Sequence, residues 1–381
     1  MIDFEIPEED RALLDSIDRM MAREFPPEAY RKADLAHETP WHLLPRMGEL
    51  GLLALPFPEA WGGLGKDWRS AALVNERLAY HAGIAATLFG TTVSFGGMSL
   101  LSYGSEAQKR EFLPRLIEGK ARFALALTES TAGTDAGAII TSARRIDGGW
   151  RINGRKTWIS NADAADYLVV ACRTDPGSKG SKGVTMLLVP RATQGISMTP
   201  LDKVGHHCMP SWDIGFDDVE VGDDAVMGEV GHGFRHAMST LHYSRASQAA
   251  NAVGQAQKAV DLALAHAKER RQFGQAIGSF QAVQHKLADM QVRVNQARLV
   301  LYHLAWLIAT NRPCRLEAAQ AKLVASETFQ YVTRTGMQIM ASAGYSMESD
   351  MQRMWRDAGL YTFGEGSSEL QRNLIARELG L

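Results

Sequence analysis

The chain has 381 residues, of which 45% are hydrophobic, so it can bury a large core and is near the upper size that one core supports. We therefore expect two or three packed domains. The formal net charge of −2, from 41 basic and 43 acidic residues, excludes an overall electrostatic attraction to nucleic acid or to an anionic membrane.

Three features of the sequence concern the compartment. The longest strongly apolar stretch, residues 299–309, is about half as long as a membrane span and predicts a buried helix. The first residues include Asp3, Glu5, Glu8 and Glu9, where a secretion signal would have a basic segment and an apolar one. The three cysteines are too few and too scattered for a disulfide framework. These features predict a cytoplasmic protein without membrane insertion.

Residues 1–121 are rich in Ala, Leu, Glu and Arg, with Pro and Gly between the helical segments, and predict an α-helical first domain. The sequence pattern changes from helical to strand-like in residues 122–232. Two turn dipeptides, Gly148-Gly149 and Asn153-Gly154, and two short apolar runs, 167–171 and 184–189, indicate a small β-sandwich or barrel domain.

Residues 233–381 predict a third, helical domain. Its clearest helix carries an apolar stripe whose spacings of three and four suit a helix bundle, namely Val283, Leu287, Met290, Val294, Ala297, Leu301 and Leu304. Helices and strands are therefore segregated along the chain, which predicts an α+β fold that is mostly α. The glycine-rich fingerprints of doubly wound dinucleotide folds and of phosphate loops are absent from the sequence.

Two segments of the middle region could bind a flat ring. The loop at residues 126–137, Ala-Leu-Thr-Glu-Ser-Thr-Ala-Gly-Thr-Asp-Ala-Gly, offers hydroxyls and glycines that allow close approach of a ligand. Residues 157–161 place the aromatic face of Trp158 beside the Ser160 hydroxyl. Each segment has an ordinary alternative, a polar turn for the first and a core tryptophan for the second.

The stretch 363–372 is the most informative about chemistry. Glu365 stands between two glycines, which predicts a carboxylate at the tip of a turn, before a helix capped by Ser368 with Gln371 completing a capping box. The alternative is that Glu365 only complements the helix dipole.

Five segments together resemble the acyl-CoA dehydrogenase family over the whole chain, in the family's order. The loop at 126–137 resembles one family signature, and 338–345, continuing to Glu348, Arg353 and Asp357, resembles a second. Ala341 departs from the second signature, where glycine is usual. The remaining segments that resemble family landmarks are 58–65, 104–110 and 363–372.

The resemblance implies an N-terminal helical domain, a middle β domain and a C-terminal four-helix bundle that bind FAD. It implies a homotetramer, a dimer of dimers, in which a neighbouring subunit supplies part of each FAD site through Gln338 and Ser342. Arg270 suits a diphosphate and Phe273 suits stacking. The residues that would bind FAD by resemblance are Leu125, Leu127, Thr128, Thr134, Trp158, Ile159, Ser160, Arg270, Phe273, Gln281, Gln338, Ser342, Ser367 and Glu369.

The implied reaction is dehydrogenation of an acyl-CoA thioester to the trans-2-enoyl-CoA. Glu365 would remove the α-proton while a hydride leaves the β-carbon for flavin N5, and an electron-transfer flavoprotein would then accept the electrons. A carboxylate needs burial to raise its pKa enough for this task. The residues expected near the substrate are Thr134, His242, Arg245, Gly364 and Gly366.

Three positions refine this expectation. Some branches of the family place the base immediately before an arginine, and Ser244 stands there, before Arg245. His242 replaces a common aspartate and is either a packed or solvated residue or a substrate contact. Gly364 replaces a common tyrosine, which predicts a wider pocket for a branched or cyclic acyl group.

Two other functions remain open. The first is a related flavoenzyme that acts on an acyl group bound to a carrier protein or uses oxygen as acceptor. The second is a non-catalytic flavin-binding relative, against which the presence of Glu365 argues. A metal site is not expected, because the cluster at residues 206–208, His-His-Cys, lacks the spacing of zinc ligands.

Overall fold

The computed structural model describes residues 5–381, so Asp3 lies outside the described residues. The first region is helical. Helix α7 has a capping box in which Ser105 and Gln108 bond each other's backbone N–H groups. The helices are α1 (Glu8–Glu24), α2 (Pro27–Ala36), α3 (Leu43–Glu49), α4 (Trp68–His81), α5 (Gly83–Gly90), α6 (Ser99–Tyr103) and α7 (Glu106–Ile117).

A π-helical segment, Thr91–Met98, joins α5 to α6 into one apolar helix over Gly83–Tyr103. This helix is long and apolar enough to cross a membrane, but 72% of its most apolar window is buried inside the protein, as in a core helix. The stretch is longer than 299–309, so the sequence estimate of the longest apolar segment was wrong. Hydroxyl residues interrupt it, and they bond within the protein; Thr91 donates to the Thr87 carbonyl at 2.8 Å.

The middle region is a mainly antiparallel sheet with strand order β6-β7-β3-β2-β4-β5-β8, and β1 pairs in parallel with β4. The two predicted apolar runs form β4 and β5, neighbours whose side chains are almost all buried. The strands are β1 (Phe123–Ala126), β2 (Ser142–Ile146), β3 (Gly149–Ser160), β4 (Tyr167–Arg173), β5 (Val184–Pro190), β6 (Ile196–Leu201), β7 (Ser211–Gly222) and β8 (Val226–Met227).

The last region is a helical bundle in which α10 packs against α8, α9, α12 and α13. The predicted stripe on α9 is confirmed as core from Met290 to Leu304, whereas Val283 and Leu287 are only partly buried. The elements are α8 (Gly233–Glu269), β9 (Arg271–Gln272), β10 (Gln275–Ala276), α9 (Gln281–Ala309), α10 (Arg315–Met340), α11 (Ser342–Tyr345), α12 (Asp350–Phe363) and α13 (Ser368–Glu378).

The first region packs directly on the bundle through α4 and α8. Gly254 of α8 allows this close approach, because a Cβ there would lie 2.2 Å from the carbonyl oxygen of Glu76 on α4. The hydrophobic core is accordingly continuous from α1 to α12. This packing fixes α8 and α10 beside the turn between α12 and α13, where Glu365 lies.

Candidate active site

Glu365 lies in the turn that joins α12 to α13. Its φ is +54° and that of Gly366 is +94°, so two successive residues adopt the left-handed region. A side chain in that region is uncommon and costs energy, and such strain is concentrated at functional sites. The turn directs the Glu365 carboxyl inward, toward α8 and α10, as its interactions with residues of those helices show.

The predicted cap of α13 was wrong by one residue. Ser367, not Ser368, is the N-cap, and its Oγ accepts a hydrogen bond from the Leu370 N–H at 3.3 Å. The positive φ of Gly366 leads into an extended Ser367, the conformation of a cap residue. Gln371 is buried and forms no capping box; its Nε2 donates to the carbonyl oxygens of Gly366 at 3.1 Å and of Glu365 at 3.4 Å.

The carboxyl of Glu365 is buried although the residue as a whole is only partly so. Its Oε2 atom is shielded from solvent and has no hydrogen-bond partner among residues 5–381. Burial raises the pKa of Glu365 to about 6, while the nearby Ser244 hydroxyl and the positive charges of Arg245 and Lys322 oppose the rise. A buried carboxylate with a pKa near neutrality is the form that a general base requires.

Two buried cations flank this carboxyl. Arg245 of α8 is 6% exposed, and its Nε atom has no partner within the described residues. Burial lowers the pKa of Arg245, which the charge of Glu365 opposes. Lys322 of α10 is 1% exposed and donates to the Gly366 carbonyl at 2.6 Å. Sequence reasoning missed Lys322, since a lysine in a helical segment is indistinguishable from a solvated one.

The two predicted ring-binding segments lie together at the end of β1 and β3. The N–H of Thr157 donates to the carbonyl of Thr128 at 3.0 Å, which joins the first loop to the second segment. A register shift between β3 and β7, from Lys156 to Ile159, marks an irregularity where Trp158 has φ +60° and an exposed ring, while Ile159 is buried. The structure thus presents an aromatic face beside backbone and hydroxyl groups.

A buried ion pair underlies this loop. Lys156, which is 0% exposed, donates to the Leu127 carbonyl at 3.0 Å and to Glu129 at 2.8 Å. Glu129 also accepts hydrogen bonds from the N–H groups of Ile140 at 2.8 Å and Thr141 at 2.9 Å. Both residues are within or beside the quoted segments, but sequence reasoning assigned them no role.

Leu125 is partly buried in β1, Thr134 is exposed farther along the loop, and Ser160 pairs with Ser211 at the end of β3. The open ring face of Trp158, the hydroxyls of Thr128 and Thr134, and the free space around Gly133, where a Cβ would meet nothing within 4 Å, fit a flavin ring. These residues could therefore hold the isoalloxazine of FAD.

The remaining residues predicted to contact FAD face outward in the single chain. Arg270 and Phe273, the latter 93% exposed, precede α9, and Gln281 begins it. A surface cavity of about 400 Å³ opens nearby, lined in part by Lys268 and Gly278.

A second cavity, of about 420 Å³, is lined by Gln338, Ser342 and Tyr345, among others. Ala341, the departure from the family signature, has φ +50°, a conformation that favours glycine. Gln338 and Ser342 are both exposed at this cavity.

Of the residues expected near the substrate, Gly364 and Gly366 flank Glu365, His242 and Arg245 lie on α8, and Thr134 lies apart in the loop at 126–137. His242 is partly buried, with its ring 3.9 Å from that of Tyr243, and burial lowers the pKa of His242. A Cβ on Gly364 would lie 3.4 Å from Gln248 Nε2, so this amide borders the space that glycine leaves. Gln248 Oε1 is buried and has no partner within residues 5–381. Sequence reasoning missed Gln248, although it is one helical turn beyond Ser244.

The His-His-Cys cluster bridges domains. The N–H of His206 donates to Asp357 at 2.6 Å, and the His207 ring lies 3.7 Å from Asp34. Cys208 is buried as a free thiol. Within residues 5–381, no group of three or more His, Cys, Asp or Glu side chains is arranged to hold a metal ion.

Glu369 and Ser367 were also predicted to contact the cofactor. Glu369 is exposed in the first turn of α13, and the Ser367 hydroxyl caps the N-terminus of the same helix. Of the predicted site residues, the structure brings Glu365, Gly364, Gly366, Ser367 and Arg245 together around one turn. It brings the residues of 125–128 together with 158–160 at the sheet edge.

Comparison with known proteins places these features in a family. Residues 7–120, 124–219 and 231–380 match the acyl-CoA dehydrogenase N-terminal, middle and C-terminal domains respectively. The chain is 40% identical over 379 residues to the probable acyl-CoA dehydrogenase YngJ of Bacillus subtilis, covering 99% of this chain and 100% of that protein.

Two solved structures are informative. Butyryl-CoA dehydrogenase from Megasphaera elsdenii is 34% identical, with a TM-score of 0.95 and 100% coverage of both chains. The prolyl acyl carrier protein oxidase AnaB is 27% identical, with a TM-score of 0.94, covering 99% of this chain and 100% of that one.

Proposed function

This chain belongs to the acyl-CoA dehydrogenase family of FAD-dependent oxidoreductases, and we propose that it oxidises an acyl-CoA thioester to the trans-2-enoyl-CoA with Glu365 as base. The observation that carries the proposal is the buried carboxyl of Glu365, held in a left-handed turn with a pKa of about 6. A structural carboxylate at the start of a helix would face the helix N–H groups, but here the Ser367 hydroxyl caps α13.

Different residues of the chain have different roles in the proposed reaction. Glu365 removes the proton from the carbon α to the thioester, because its pKa allows it to be ionised at neutral pH and still be basic enough. Bound FAD supplies the hydride acceptor. The apolar acyl chain that excludes water from the turn would raise the basicity of Glu365 further. Arg245 and Lys322 keep the carboxylate from becoming neutral altogether.

The direct test is anaerobic mixing of the purified, FAD-loaded protein with a panel of acyl-CoA thioesters, followed by the flavin absorbance. We expect bleaching by at least one member of the panel, with formation of the enoyl product. The proposal would be contradicted if dithionite bleaches the bound flavin but none of the CoA esters does. Oxygen consumption after bleaching would instead favour an oxidase.

The acyl pocket is proposed to admit a branched or cyclic group beside the base. Gly364→Tyr is expected to shift the preference from branched or cyclic thioesters toward unbranched ones by about 10-fold or more, the effect of one or two methylenes in a pocket. The comparison is kcat/KM for isobutyryl-, cyclohexanecarbonyl-, butyryl- and octanoyl-CoA in wild type and Gly364→Tyr. Gly364→Ala is the control for the added Cβ, which would lie 3.1 Å from the Leu360 carbonyl oxygen, a tight contact, and 3.4 Å from Gln248 Nε2. Gly364→Ala and Gly364→Tyr share this contact, so a difference between them reports the ring. A wild-type preference for butyryl or octanoyl thioester would contradict a wide pocket.

A second candidate is a flavoenzyme of this fold that acts on a carrier-bound acyl group or passes electrons to oxygen. The departures at His242 and Gly364 and the likeness to a prolyl acyl carrier protein oxidase favour it. Activity with an acyl carrier protein and none with the same acyl-CoA would select it. A non-catalytic flavin-binding relative is disfavoured, because a binding role needs no buried carboxylate at this turn.

The assembly that we propose is a homotetramer, a dimer of dimers. Gln338 and Ser342 support it, since both are exposed and line an open surface cavity, and so does Phe273, whose ring is 93% exposed. An electron-transfer flavoprotein is the proposed electron acceptor. Cytoplasmic catabolism of fatty or other carboxylic acids is the proposed setting.

A further inference from the structure

The turn that carries Glu365 is held from two sides. Gln371 reaches back from α13 to the carbonyls of Glu365 and Gly366, and Lys322 reaches from α10 to the same Gly366 carbonyl at 2.6 Å. The Gly366 oxygen therefore accepts two hydrogen bonds, which occupy both of its lone pairs. Only the bond from Lys322 brings a charge.

This charge is unusual in its position. Lys322 is 1% exposed, and a lysine is rarely buried so completely without a functional or electrostatic reason. Burial lowers the pKa of Lys322 to about 8, and the charge of Glu365 is the largest influence that opposes this lowering. The ammonium and the carboxylate thus stabilise each other's charged forms across the turn.

We propose that Lys322 is a positioning residue for the base: it fixes the left-handed turn through the Gly366 carbonyl and keeps Glu365 ionised at neutral pH. The proposal rests on the role of Glu365 as base and adds a residue to it. Lys322 acts through the turn and through its charge, and does not itself take part in proton transfer.

Other groups around the turn make separate contributions. Arg245 on α8 is the other positive charge near Glu365 and lowers the pKa of Glu365 more than Lys322 does. Tyr361 on α12 is a buried phenol whose pKa the Glu365 carboxylate helps to raise. Glu327 and Glu369 act on Lys322 from α10 and α13. Arg245 remains in every variant below, so each test measures the loss of Lys322 alone.

Lys322→Met removes the donor and the charge but keeps an unbranched stem. We expect the acid limb of the rate of flavin reduction, measured at limiting substrate from pH 5 to 9, to move upward from about 6 by ~1 pH unit. The rate should then fall about two-fold at pH 7 and about five-fold at pH 6, because a smaller fraction of Glu365 is ionised at each pH. Lys322→Arg, which keeps charge and donor, should retain the wild-type midpoint. Lys322→Gln, which keeps a donor without the charge, should also move it upward and serves if Lys322→Met does not fold.

The matched control is Lys203→Met. Lys203 is a partly buried lysine whose pKa burial lowers to about 8. Its Nζ donates to the backbone carbonyls of His206 and Met209, and Glu365 is not among the groups that influence its pKa. This variant should lose stability without moving the acid limb. Equal midpoints in wild type, Lys322→Gln and Lys322→Met would overturn the proposal.

A second measurement is independent of substrate. Thermal midpoints are measured from pH 4 to 8 for wild type, Glu365→Gln, Lys322→Met and the double variant. The quantity followed is the difference in midpoint caused by Glu365→Gln, first with Lys322 present and then with Met in its place. The difference begins near the unfolded pKa of 4.5 and levels off at the pKa of Glu365 in the folded protein. The pH at which it levels off, and its final size, should both increase when Lys322 is lost. No change would overturn the proposal for Lys322. Failure of every thioester to bleach the flavin would instead count against Glu365 as base, while this measurement still reports on Lys322.

Discussion

Glu365→Gln is expected to slow flavin reduction by the best acyl thioester by about 10²- to 10⁴-fold, the contribution of a positioned general base. The amide fits the same turn and keeps its left-handed backbone, but it cannot accept the α-proton. FAD content and the affinity for the enoyl product should change little. Stopped-flow reduction under anaerobic conditions is the measurement. Glu327→Gln is the control, because that carboxylate is 43% exposed and paired with Arg372.

The same substitution should stabilise the protein at alkaline pH. Folding raises the pKa of Glu365 from 4.5 to about 6, which corresponds to roughly 2 kcal/mol of folding free energy. Above pH 6 both folded and unfolded states are ionised, so the folded state bears the whole cost of the buried charge. Below pH 4.5 both are protonated and the cost vanishes. Glu365→Gln should therefore raise the thermal midpoint at pH 8 and leave it unchanged near pH 4.

If wild type and Glu365→Gln have the same thermal midpoint as each other at pH 8 as well as at pH 4, Glu365 is solvated rather than buried. A loss of activity below 10-fold would mean that another group takes the proton. Ser244, at the position that serves as base in other branches of the family, does not ionise in this range and cannot replace Glu365.

The sequence predicted the fold class and the turn that carries Glu365, because both depend on local patterns. The spacing of the α9 stripe needs only the 3.6-residue period, and the pair of glycines around Glu365 signals a turn by itself. The capping residue was predicted one position late, since Ser367 and Ser368 are equally good caps and only the φ of Gly366 decides between them.

The groups that tune the base could not be predicted. Lys322 is 43 residues before Glu365 in the chain, and Gln248 is on a third helix; only packing brings them to one turn. The spacing of residues in a helix does not reveal that a lysine is buried, because its partner is a backbone carbonyl of another element. The long apolar helix Gly83–Tyr103 was missed for a related reason, because its hydroxyl groups find partners only within the folded chain.

Lys156→Met is expected to cost about 3–5 kcal/mol of folding stability and to weaken FAD retention, since it leaves the Glu129 carboxylate buried without its counter-ion. Glu129 is 4% exposed, and it accepts hydrogen bonds from the N–H groups of Ile140 and Thr141. Lys156 also donates to the Leu127 carbonyl, in the loop that we propose binds the flavin. Both the sheet edge and the loop should loosen. Urea unfolding and FAD release during gel filtration measure the two effects.

Two comparisons separate the buried charge from the lost packing. Combining Lys156→Met with Glu129→Gln removes the uncompensated charge and should recover a large part of the stability, as replacement of a whole buried pair often does. Arg151 is on β3, as Lys156 is, and forms an exposed ion pair with Glu220 of β7. Arg151→Met breaks that exposed pair and should change stability little. If the double variant is no more stable than Lys156→Met, the lysine stem rather than its charge supports the loop. If Arg151→Met costs as much as Lys156→Met, burial of the pair is not what makes it important.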